Sequence, residues 1–139
     1  SPNSYQRSIG LMLIAENIKW DIHNNFDKIY LKYLAHCDDE KFITSRQCIQ
    51  GLPKILAHTR KYRREILDTL LKIDWRAKKD TQRGLLLADI ITVLGVLYSD
   101  QKEEQIESYL KTQYELACAA GNEKAKKKIA VILKTKESL

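Results

Sequence analysis

The segment LLLADIITVLGVL, residues 85–97, is the most apolar part of the chain. Leu85, Leu86, Leu87, Ala88, Ile90, Ile91, Val93, Leu94, Val96 and Leu97 cover nearly the whole circumference of a helix, so this helix needs cover on every side. It is expected to be the central core helix. Asp89 and Thr92 interrupt it, and the run is read as too short to cross a bilayer. Asp80 or Thr81 is the expected cap at its start.

Outward from this segment the periodicity stays helical. Downstream, Ser99-Asp100 is expected to cap an amphipathic helix over Glu103–Cys118, with Glu103, Glu104 and Glu107 at its positive end. Gly121-Asn122 stops that helix, and a last one runs from Glu123 to about Lys134 on Ala125, Ile129, Ile132 and Leu133. Upstream, Ile66, Leu67, Leu70, Leu71 and Ile73 form the inner stripe of a narrow amphipathic helix over Tyr62–Ile73. Before it, Thr44 or Ser45 is expected to cap a helix reaching His58, with Pro53 inside. Apolar spacing continues through the proline, which implies a kink and not a break. Phe26, Ile29, Tyr30, Tyr33 and Leu34 mark another narrow stripe, and Tyr5–Ile18 a wide one. The count is about seven helices. Five glycines and two prolines in 139 residues are too few turn residues for a sheet protein.

Wide-stripe helices alternate with narrow ones and share a beginning: Arg7-Ser8-Ile9, Arg46-Gln47-Cys48-Ile49 and Arg83-Gly84-Leu85, spaced by 39 and 37 residues. A further step of 43 leads to Lys126. Turn aspartates precede two of these starts, Asp39 before Arg46 and Asp80 before Arg83. The pattern resembles HEAT and armadillo repeats, including small bacterial HEAT-like proteins of unassigned activity. The resemblance implies an all-α, right-handed α-α superhelix, a HEAT-like solenoid forming a single domain over residues 1–139. It also implies that second helices line a concave face. Pro53 departs from the pattern, since a HEAT proline usually falls in the first helix of a pair. Because Tyr5–Ile18 lacks a preceding partner, the chain is read as an atypical cap or one end of a longer array.

Charge is unevenly distributed along the chain. Residues 54–83 hold ten basic and four acidic groups, residues 84–123 two and seven, and residues 124–139 six and one. Steps of three and four residues align Arg46, Gln50, Lys54 and His58 on one helix, and select Arg83, Asp89 and Thr92, then Lys124, Lys127 and Lys128, on others. This basic-leaning stripe suits a protein partner or acidic peptide. A solvated face is the simpler explanation, and nucleic acid is the rival partner.

No catalytic or nucleotide motif occurs: there is no glycine-rich phosphate loop, no His-Glu-x-x-His and no Cys-x-x-Cys. No cofactor and no metal are expected. Cys37, Cys48 and Cys118 read as buried reduced thiols of a cytoplasmic protein, with His36 as a surface imidazole. HEAT-like glycosylases of alkylated bases use Trp, Asp and Arg, and Trp20-Asp21 and Asp74-Trp75-Arg76 contain those residue types in turns, off the concave helices. Both Trp are therefore read as packing at the edge of the core. The expected function is a non-catalytic binding module or scaffold. A DNA-binding relative of those glycosylases is the alternative, with Asp89 as the acidic groove residue.

Overall fold

In a computed structural model, Gly10, residues 30–39 and residues 41–137 are described. Among them six α-helices and no strand occur, so the described part of the chain is all-helical. The expected helix over Tyr5–Ile18 and the surroundings of Trp20 lie outside the described residues. Two compact units divide the chain between Asp74 and Trp75.

The first unit contains α1 (Tyr30–Ala35), a 3-10 turn (His36–Asp38), α2 (Phe42–His58) and α3 (Arg63–Lys72). The 3-10 turn closes α1 and packs against α2, while α1 also meets α3, where the rings of Tyr30 and Tyr62 lie 4.8 Å apart. Helix α2 is continuous through Pro53 as expected. Its start differs from expectation, because Lys41 holds the cap position without a side-chain cap while Thr44 and Ser45 are buried in the first turn. The reason lies in tertiary contacts: the Ser45 hydroxyl donates to the carbonyl of Cys37 instead of serving its own helix.

Two reciprocal bonds join α1 to α2. The Tyr33 hydroxyl donates to the Cys48 carbonyl at 3.1 Å, and the Cys48 thiol donates to the Tyr33 carbonyl at 3.0 Å. Cys37, Cys48, Ile49, Leu52 and Ile55 are completely buried around them. Burial and the neighbouring Cys37 side chain push the Cys48 thiol up, and burial does the same to the Tyr33 phenol. Both groups stay neutral and act as hydrogen-bonding core residues.

The second unit holds a 3-10 turn (Trp75–Ala77), α4 (Asp80–Asp100), α5 (Glu104–Ala120) and α6 (Glu123–Glu137). The three helices pack on one another. Helix α4 is the expected core helix, with Leu86, Leu87, Ile90, Ile91, Val93, Leu94, Leu97 and Tyr98 buried. At 21 residues it is long and apolar enough, by length and composition, to cross a bilayer, which corrects the reading of the run as too short and too interrupted. Packing against α5 and α6 accompanies the burial of those eight side chains, while Leu85 and Val96 remain exposed. The caps expected from Asp80 or Thr81 and from Ser99-Asp100 do not form. Asp80 is already helical behind Lys79, and α4 continues through Ser99 and Asp100.

The α5–α6 junction follows the sequence closely. Gly121 takes the left-handed conformation at φ 71°. Its N–H reaches the Cys118 carbonyl at 3.3 Å, and the Asn122 N–H reaches that of Ala117 at 2.9 Å, which is the Schellman closure. The Asn122 side chain then accepts the Ala125 N–H at 3.2 Å, so the residue ending one helix caps the next.

Candidate binding surfaces

Helix α2 presents the expected row. Gln50, Lys54 and His58 are exposed and Arg46 is half-buried, its guanidinium 5.7 Å from the Phe42 ring centroid on the turn below. The opposite side of the same helix carries the fully buried Cys48, Ile49, Leu52 and Ile55. Core packing thus fixes the backbone beneath the row.

Arg83 and Asp89 belong to the second unit, on α4. They do not share a face, because six residues at 3.6 per turn place them about 120° apart. Arg83 is also engaged locally. Its Nη1 pairs with Asp80 Oδ1 at 2.9 Å and its Nε donates to the Lys78 carbonyl at 2.8 Å, tying the turn to the first coil of α4. Asp89 is half-buried, and the Thr92 hydroxyl is turned back to the Ala88 carbonyl at 2.9 Å. Of the expected site residues, then, Arg46, Gln50, Lys54 and His58 share one face of α2, whereas Arg83 and Asp89 belong to the other unit and lie on different faces of α4.

Thiol expectations are met at Cys37 and Cys48 and corrected at Cys118, which is exposed on the last turn of α5. Its helix turns the Ile106, Leu110, Gln113 and Ala117 side inward, and Cys118 falls on the next, outer position. His36 is half-buried and paired with Asp39 at 3.0 Å. No group of three or more metal-ligating side chains occurs among the described residues.

Sequence reasoning missed a groove between α4 and α6. It has a volume of about 630 Å³ and is open to solvent along one side. Gly95, Val96, Val131 and Ile132 form its apolar floor, with Lys102 and Lys128 at the rim. The helices approach closely here: a Cβ on Gly95 would lie 2.9 Å from Ile132 Cδ1. A glycine inside the most apolar helix, and a valine shortly beyond the lysine run of α6, were the signals available in the sequence. No family model, curated protein or solved structure matches the chain.

Proposed function

We propose that the protein is a non-catalytic helical-repeat binding module of the HEAT type, a scaffold that engages a protein partner through a basic-leaning face. The observation that carries the reading is the α2 row, Arg46, Gln50, Lys54 and His58, displayed on a helix whose other side is fully buried. Lys54 and Arg46 supply positive charge, and Gln50 between them supplies both donor and acceptor. Such a row suits carboxylates presented along an acidic peptide. Successive helices joined by short turns are compatible with a solenoid, in which neighbouring pairs would extend the row.

The test is affinity capture from cells of the source, with and without nuclease, followed by the Arg46→Glu/Lys54→Glu double variant. A specific protein retained after nuclease and lost by the double variant, with far-UV dichroism unchanged, is the expected result. Undiminished binding by the double variant would sink the α2 face as the site. Loss of all bound material after nuclease would favour the nucleic-acid reading, whose affinity for duplex DNA must fall steeply with salt.

A further inference from the structure

We propose that the α4–α6 groove of the second unit is a docking site for an acidic amphipathic helix of a partner protein. The inference rests on the binding-module reading but places a contact on a different surface from the α2 row.

The floor of the groove is apolar and accessible. Val131 is 68% exposed and Val96 40%, so both valines present apolar surface to solvent. Gly95 lets α6 settle against α4, so the floor is a trough between two helices and not a raised ridge. The trough runs along α4 from Thr92 to Ser99, about 10 Å at 1.5 Å per residue, which matches two turns of a guest helix. Two turns present apolar anchors at i, i+3 or i+4, and i+7, the pattern by which helices enter grooves.

Charge selects the guest. Lys102 and Lys128 stand on the rim and no acidic residue lines the groove. The Lys102 ammonium is 5.3 Å from the Tyr98 ring centroid, a cation–π contact that holds it at the edge. One turn earlier on α6, exposed Lys124 and Lys127 continue the Lys128–Val131 stripe. None of these four lysines forms an ion pair among the described residues. An apolar strip flanked by glutamates or aspartates complements both parts. A nucleic-acid backbone would leave the valines unused, and base stacking needs accessible aromatic rings, whereas Tyr98 is buried.

The probe is a fluorescein-labelled synthetic peptide of about three helical turns, with leucines at helical spacing and glutamates on both flanks, titrated against the full chain by fluorescence polarisation. Micromolar binding is expected, weakened at least about tenfold by Val131→Glu and about fivefold by Lys102→Glu or Lys128→Glu. Val131 and the rim lysines reach solvent, so these variants should retain the wild-type dichroism. Arg46→Glu/Lys54→Glu should bind the probe as wild type does, which separates failure of the groove from failure of the α2 face. The proposal is overturned if Val131→Glu binds the probe unchanged, or if a scrambled peptide of equal charge binds as tightly. It is also overturned if the probe does not bind while binding to phosphatidylserine vesicles, or self-association in sedimentation, is lost on Val131→Glu.

Discussion

Replacing Gly95 by alanine sets two terms of similar size against each other. A glycine inside a helix is about 0.8–1 kcal/mol less favourable than alanine, so backbone propensity alone predicts a gain. The new methyl, however, would sit 2.9 Å from Ile132 Cδ1 and 3.2 Å from Cγ1, both too close. Ile132 is half-exposed and borders the open groove, so its side chain can swing aside. Holding an isoleucine off its preferred rotamer costs about 0.5–1.5 kcal/mol. Gly95→Ala alone should therefore change stability by no more than about 0.7 kcal/mol in either direction.

The decisive measurement is a double-mutant cycle with Ile132→Val, which removes the atom in closest conflict. At a half-exposed site Ile132→Val alone should cost about 0.5 kcal/mol, the low end of the buried range. In its presence the Gly95→Ala change should recover most of its propensity gain, giving a coupling near ~1 kcal/mol in urea denaturation followed by dichroism. Additivity within about 0.3 kcal/mol would refute the close approach of α4 and α6 at this point. So would a full gain of about 1 kcal/mol from Gly95→Ala by itself.

Gln113 is buried on α5 and its Oε1 has no hydrogen-bond partner among the described residues, so Gln113→Leu should raise stability by about 1 kcal/mol; a loss in urea midpoint would show that the amide is satisfied. Gly121→Ala should cost about 1–2 kcal/mol, because alanine must adopt the left-handed backbone that closes α5. Ellman's reagent should find one fast thiol in the native protein, Cys118, and three after denaturation; fast reaction of Cys118→Ser would contradict the burial of Cys37 and Cys48. Alkaline pH should destabilise the fold. The Cys48 thiol and Tyr33 phenol have raised native pKa values, as does Tyr109, where burial dominates and the neighbouring Trp75 indole works in the opposite direction. In the unfolded chain thiols ionise near about 8.5 and phenols near about 10. Their stabilisation is thus intact below pH ~8 and declines above it, by up to about 1.4 kcal/mol per pH unit for each group. A urea midpoint that stays flat to pH ~11, or a first decline that survives Cys48→Ala, would contradict this sign.

Helix type and core were legible wherever apolar periodicity was strong. The run from Leu86 to Tyr98 marked the central helix because eight of its side chains had to be covered, and Gly121-Asn122 marked a junction because few residues accept a left-handed turn. Helix starts were less legible. Ser45, Asp80 and Ser99-Asp100 resemble caps locally, yet Ser45 is used by Cys37 across the packing of α2, Asp80 by Arg83, and Ser99 and Asp100 are absorbed into a longer α4. The site was legible only within one helix. Spacing placed Arg46, Gln50, Lys54 and His58 together, because four-residue steps return to the same face. Spacing could not place the α4–α6 groove, since its floor combines residues of two helices separated by the whole of α5.

The charge blocks read along the chain take a different form once the units are known. Residues 1–74 hold 12 basic and 9 acidic groups, and residues 75–139 hold 12 and 9 as well. The two units thus carry the same net charge, and the acidic block and the final basic block fall in one unit. Within that unit several acids are engaged by neighbours: Asp80 with Arg83, Glu107 with Lys111 at 3.0 Å, and Glu123 with Lys126 at 3.4 Å. Such exposed pairs contribute little to stability, but they neutralise charge locally. The lysines without an ion pair among the described residues include the two that line the groove, Lys102 and Lys128, and the exposed Lys124 and Lys127 on α6. An acidic block that argues against polyanion binding along the sequence therefore leaves a basic-rimmed apolar trough in three dimensions. Its chemistry favours a partner bringing both carboxylates and an apolar strip.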